Sequence, residues 1–242
     1  MKEITRGECL RILGKAGLVV IGYSFFPKLA NAESKEDLLP QELECPIHYW
    51  HEVRNQTDFE NYIWGLRQLD FHPVSLRDLY QYFSKGEKVW GEREKPIAIT
   101  FDDGLRSQYE NAVPILRKWR IRATFACLPD FQDGGAHKYM SNEQMREVAQ
   151  DWEAASHTFN HRSLPALRGE NLGSWQANIV RSKERLEEIT GKEVVSLVYP
   201  YGQFDEETVK VASQYYKIAV KTGGGIILRS EEIFKLPRQR MS

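Results

Sequence analysis

The sequence predicts an α/β fold built on a parallel sheet, open or closed into a barrel. Three observations point there. Short apolar runs alternate with amphipathic helical segments from Cys45 onward. Helix-capping pairs stand where those segments begin, and polar or turn residues gather where the apolar runs end.

Taken in order, Pro46 to Trp50 is the first strand and Asp58 to Leu69 has helical spacing. Phe71 to Val74 is a short extended piece, after which Ser75 and Asp78 open a helix through Phe83 as a capping box. Pro96 to Phe101 is a strongly apolar strand that ends in Asp-Asp-Gly. Tyr109 to Trp119 is helical, with Pro114 discordant because an internal proline kinks a helix. Ala123 to Leu128 is a strand, and Ser141 with Gln144 caps a helix through Ala149. Ser174 to Ile189 is a long amphipathic helix stopped by Gly191. Val194 to Tyr199 is the next strand, Asp205 starts a helix through Tyr215, and Lys217 to Val220 ends the series before the loop Gly223 to Gly225.

The chain has 242 residues, 41% of them hydrophobic, which suits one domain of barrel size. With 33 Lys+Arg against 34 Asp+Glu, well mixed along the chain, no electrostatic argument supports a nucleic-acid partner. The triple glycine lacks the strand–Gly-x-Gly-x-x-Gly–helix setting of a phosphate cradle, so no nucleotide is expected either.

Residues 1–32 read as an export signal. Lys2, Arg6, Arg11 and Lys15 precede the apolar run Ala16 to Phe26, and Ala30-Asn31-Ala32 is a small-x-small cleavage pattern. An uncleaved anchor is the alternative, and would be the chain's one membrane contact. Residues 33–44 are polar and read as a linker to a single domain at 45–242. The expected location is therefore periplasmic, secreted or cell-surface. There, Cys45 and Cys127 are either a disulfide or two buried thiols.

Catalytic groups of parallel α/β folds collect at the C-terminal ends of strands. Here those ends carry His51, then Asp102-Asp103-Gly104, then Ser156-His157-Thr158-Phe159-Asn160-His161, then Tyr199-Pro200-Tyr201-Gly202. His157 and His161 are four apart, so a helical turn would project both imidazoles from one face toward a shared cation. Two histidines and one carboxylate leave a coordination position open, as in a catalytic zinc site, and the second aspartate is then available as a base.

Thr100-Phe101-Asp102-Asp103-Gly104, Ser156-His157-Thr158-x-x-His161 and Tyr199-Pro200-Tyr201-Gly202 together resemble the successive motifs of the polysaccharide deacetylase family, the NodB homology domain. Pro46-Ile47-His48-Tyr49-Trp50-His51 is similar to the opening strand of its poly-N-acetylglucosamine deacetylase branch. The resemblance implies a distorted, incomplete (β/α) barrel. It also implies a metal site of Asp103, His157 and His161 holding a divalent ion, zinc by preference. Asp102 would be the general base and the backbone N–H of Tyr201 part of an oxyanion hole. The expected reaction removes N-acetyl groups from an envelope or extracellular glycan, of poly-N-acetylglucosamine, chitin or peptidoglycan type, and releases acetate.

Two positions depart from that pattern. Val198 stands where many members carry the arginine that orients the base, and Leu236-Pro237-Arg238 stands where many carry a Leu-x-His general acid. His51, on the pleat face of Ile47 and Tyr49, is the replacement acid expected from the sequence. His48, on the opposite face, is expected to be structural. The two departures also leave open a catalytically silent carbohydrate-binding protein.

Overall fold

The computed structural model describes residues 39–133, 138–170 and 172–241. The expected export signal and residues 33–38, half of the expected linker, lie outside them, as does His137. No described helix is long and apolar enough to cross a membrane.

Seven parallel strands close into a ring: β2 (Ile47–Trp50), β4 (Lys95–Phe101), β5 (Thr124–Cys127), β6 (Glu153–Ser156), β7 (Ser196–Val198), β8 (Ile218–Thr222) and β10 (Leu236–Arg240). The order around the ring is β2-β10-β8-β7-β6-β5-β4, and pairing of β2 with β4 shuts it. Strand β3 (Phe71–Val74) pairs only with the first half of β4 and stays outside the ring. The distorted, incomplete (β/α) barrel is therefore the observed architecture. Strands β1 (Glu42–Glu44) and β9 (Ile227–Arg229) form a separate antiparallel pair, so the last residues of the expected linker are part of the folded unit.

Period-two alternation decides what faces where. Along β4, Ile97, Ile99 and Phe101 join the large cluster beneath the helices, while Ala98 joins a second, smaller cluster with the inward residues Ile47, Ala126, Ala155, Val198 and Val220. Thr100 and Asp102 follow Ala98 on the inner face. Chain alternation thus aims a carboxylate down the barrel axis from the end of its most apolar strand.

The helices follow their local signals. Asn55 caps α1 (Gln56–Gln68). Both expected capping boxes are present, Ser75 with Asp78 on α2 (Leu76–Lys85) and Ser141 with Gln144 on α5 (Asn142–Asp151). The discordant Pro114 is resolved by a change of helix type. Gln108–Ala112 form a π-helical turn, and α3 (Val113–Trp119) starts after it, so Pro114 sits in a first turn where its missing N–H costs nothing. Strands β6, β9 and β10 are among the described elements that the sequence reading did not contain, as are short helices at Pro129–Asp133 and Leu164–Glu170. Cys45 and Cys127 are both buried thiols, and burial pushes Cys45 upward from the usual thiol range.

His48 points outward from β2, fully buried, with Nδ1 2.7 Å from the Tyr62 hydroxyl of α1. Burial lowers its pKa to about 4, opposed by a hydrogen bond with Gln239. The unfolded chain, with an ordinary value near 6.5, binds this proton first. The contribution of His48 to stability is thus complete above about pH 6.5 and is lost as the pH falls toward about 4. Urea unfolding at pH 7.5 and pH 4.5 should show the wild type losing about 2–3 kcal/mol more than a His48→Gln variant. Equal losses would show that His48 is already protonated in the fold.

Candidate active site

The inner face of the barrel mouth holds the predicted residues, brought there by four different strand ends. Asp102 is buried and accepts a two-pronged ion pair from Arg238 of β10, Nη1 to Oδ1 at 2.7 Å and Nη2 to Oδ2 at 2.9 Å. The same Nη1 donates to Thr100 Oγ1 at 3.0 Å, and the guanidinium lies 4.4 Å from the centre of the Tyr49 ring. Burial alone would raise the Asp102 carboxyl. The charge and hydrogen bonds of Arg238 outweigh it and hold the pKa below the ordinary value. Asp102 is thereby kept ionised and fixed in orientation.

Arg238 is the residue that sequence reasoning missed. The space left by Val198 is filled not from β7 but from β10, in the stretch where the family pattern places a Leu-x-His. The one available signal was Leu236-x-Arg238, an alternation of inward residues on an otherwise polar segment.

Asp103, His157 and His161 converge as expected. Asp103 Oδ1 lies 3.6 Å from His157 Nε2 and 3.5 Å from His161 Nε2, and one ligand atom from each residue falls within 4.8 Å of the others. These separations suit a divalent ion, since ligands at about 2.0–2.2 Å around a tetrahedral centre stand about 3.4 Å apart. The chemistry fits as well. Asp103 Oδ1 is buried without a hydrogen-bond partner among the described residues. His157 Nδ1 donates to the Val198 carbonyl at 2.8 Å, which leaves the Nε2 lone pair turned to the site. Burial lowers the pKa of His157 despite Asp102 and Asp103, and burial followed by the charge of His157 lowers that of His161. Both imidazoles are thus held in their neutral, ligating form.

The expected helical turn between the two histidines is absent. Residues 157–161 are an irregular loop after β6. Its backbone is left-handed at Thr158 (φ 67°) and His161 (φ 58°), as it is at Asp103 (φ 74°) and Tyr201 (φ 59°). Among the described non-glycine residues only Asp70 and Arg120 share that conformation. Left-handed backbone is costly away from glycine, and here it is concentrated where ligand side chains must be re-aimed. The loop is held by Phe159 N–H donating to Asn178 Oδ1 at 3.2 Å and Thr158 N–H to Ser156 Oγ at 3.1 Å.

Tyr201 stands on the Pro200–Gly202 turn, 62% exposed, with its ring 4.7 Å from that of His161. Gly202 is obligatory there. Its φ is 68°, and a Cβ would lie 2.6 Å from the Thr222 backbone nitrogen. His51 lies just past β2, its ring 5.6 Å from Tyr49, and its Nδ1 is buried without a hydrogen-bond partner among the described residues. It shares with Asp103 a cleft of about 610 Å³, walled by Trp50, Leu105, Lys138 and Arg240. Among other aromatic residues, Trp50 and Trp152 are buried, while Phe159 is covered by Arg181 and Phe204 stacks on Tyr199. Tyr139 remains at the rim, stacked on Phe131.

Comparison with known proteins bears on this arrangement. Residues 91–217, just over half of the chain, match the family model described as polysaccharide deacetylase. YxkH of Bacillus subtilis, named as a polysaccharide deacetylase, is 27% identical over 208 residues, covering 82% of this chain and 72% of its own. The poly-beta-1,6-N-acetyl-D-glucosamine N-deacetylase of Staphylococcus aureus is 26% identical over 174 residues, or 66% of this chain. The chain spans 59% of that relative's length. Among solved structures, the fold is shared with IcaB from Ammonifex degensii, at a TM-score of 0.72, 19% identity and coverage of 84% of this chain and 93% of that one. It is shared also with the Streptococcus pyogenes deacetylase PplD in complex with acetate, at 0.71, 22% identity and the same coverage.

Proposed function

Because the chain belongs to the polysaccharide deacetylase family, we propose that it is a metal-dependent hydrolase that removes N-acetyl groups from the amino sugars of an extracellular or envelope glycan. The observation that carries this reading is the side-by-side placement of a three-ligand metal set, Asp103, His157 and His161, and an ionised aspartate, Asp102, that is locked by Arg238 and takes no part in the set. The S. aureus relative's name points to poly-N-acetylglucosamine as the first glycan to try.

A divalent ion held by the three ligands, zinc by preference for two imidazoles and a carboxylate, supplies Lewis acidity and an acidified water when bound. Asp102 accepts the proton of the attacking water as its oxygen bonds to the acetamide carbon. The backbone N–H of Tyr201 donates to the carbonyl oxygen as it gains charge. His51 gives a proton to the nitrogen as the C–N bond breaks, so the products are acetate and a free amine. The cleft between His51 and Arg240 receives the sugars neighbouring the one that loses its acetyl group. Export through the N-terminal segment would place the enzyme with such a substrate.

A silent carbohydrate-binding protein was suggested by the absent arginine and histidine. Arg238 supports the catalytic reading instead, since a guanidinium that orients a base has no purpose in a binder. The deciding assay is acetate release from N-acetylglucosamine oligomers by the wild type, with zinc and after chelation. Release that stops on chelation and returns with metal supports hydrolysis. Metal binding without release from any of several glycans would favour the binder.

His51→Gln separates the acid from the rest. Turnover should fall by about 10²- to 10⁴-fold, with zinc affinity and melting temperature little changed. Unchanged turnover in the metal-loaded variant would remove His51 from the mechanism.

A further inference from the structure

We propose that Gln108 is a positioning residue that fixes the separation of His51 from Asp102, an inference that rests on the acid and base roles given to those two residues. Gln108 is fully buried in the π-helical turn that precedes α3. Its carboxamide nitrogen donates to two backbone carbonyls, that of His51 at 2.6 Å and that of Asp102 at 2.5 Å. Both carbonyls lie one residue beyond the last paired residues of β2 and β4, Trp50 and Phe101.

The physical need is local. Ring closure depends on the β2–β4 ladder, which ends at Trp50 and Phe101 with Asp102 N–H donating to the Trp50 carbonyl at 2.8 Å. Beyond that bond the strands part, because Asp103 turns into the left-handed region to reach the histidines. Two carbonyls are then left at the seam, and the Gln108 amide spans them as one more rung made by a side chain. A π-turn, which inserts an extra residue into a helical turn, is a recurrent feature of functional sites, and here it carries the spanning residue. The same turn supplies Asn111, whose Nδ2 donates to the Val53 carbonyl at 2.6 Å and holds the loop after His51. Gln108 thus touches the backbone of both proton-transfer residues, and Asn111 touches neither.

If Gln108 only satisfied two buried carbonyls, its loss would lower stability and leave the chemistry alone. If it sets geometry, displacement by about 1 Å should cost about 10- to 100-fold in rate. The test compares Gln108→Leu with Asn111→Leu by steady-state acetate release, zinc titration of the metal-free protein, thermal unfolding and crystal structures. For Gln108→Leu the expected result is a kcat about 10- to 100-fold lower, with KM and zinc affinity within about threefold of wild type. Its crystal structure should show His51 and Asp102 moved apart by roughly 1 Å. Asn111→Leu should lose comparable stability and keep kcat within about twofold.

Wild-type kcat in Gln108→Leu, or His51 and Asp102 unmoved in its structure, overturns the proposal. If Gln108→Leu does not fold, Gln108→Asn keeps an amide one methylene too short to reach both carbonyls, and the same two readings decide. Should the wild type release no acetate from any glycan, the hydrolase reading fails, and the displacement in the crystal structures alone decides the role of Gln108.

Discussion

An Asp102→Asn variant is expected to release acetate about 10²- to 10⁴-fold more slowly than the wild type while binding zinc almost as tightly. The substitution keeps the shape of the side chain and removes its ability to take a proton. The metal set is untouched, because Asp103, His157 and His161 make no use of the Asp102 carboxylate as a ligand. A second effect follows from burial. Arg238 has no exposed path for its charge, and with its anion gone the guanidinium is left uncompensated. Breaking a buried pair from one side costs about 3–5 kcal/mol. Initial rates, zinc titration and thermal unfolding measure the three consequences separately. A rate within about tenfold of wild type would show that another group is the base.

Breaking the same pair from the other side has a different signature. Arg238→Met should also lose about 3–5 kcal/mol, a fall in melting temperature on the order of 10 °C for a domain of this size. Its kinetic defect should depend on pH, unlike that of Asp102→Asn. In the wild type the carboxyl pKa is held down, so the pair's stabilisation is present above the unfolded carboxylate value and is lost as pH falls through the folded one. Without the guanidinium, burial acts unopposed by its strongest counterweight and the Asp102 pKa rises. The acid limb of the pH–rate profile should then move to higher pH, with turnover recovering as the medium is made more alkaline. A profile lowered evenly at all pH values would mean that Arg238 acts only through stability.

Much of this site was legible in the chain itself. Two aspartates at the end of the most apolar run, with a glycine after them, announced a strand end where a carboxylate could face inward. The capping boxes of Ser75 and Ser141 are local signals that tertiary packing did not override. Arg238 was hidden because Leu-Pro-Arg-Gln-Arg has neither the apolar character nor the proline-free course of a barrel strand. A buried arginine is intelligible only once its partner, 136 residues away, is known. The histidine loop was misjudged for a related reason. Spacing of four suits a helix, but the same convergence is reached through left-handed residues, and no short pattern encodes those outside glycine. The π-turn was equally invisible beyond the discordance of Pro114.

The closure of the ring between β2, β4 and β10 has a kinetic side. At that seam β2 pairs with β10 from the opposite end of the barrel's sequence, and Asp102 meets Arg238 across 136 residues, so these contacts carry a high loop-closure cost and belong with the slow, non-local steps of folding. Until β10 is seated, Asp102 has no guanidinium, and any burial it has already undergone favours its protonated form. On the proposed role of Asp102, a chain without β10 in place would therefore hold a poor base as well as an incomplete barrel.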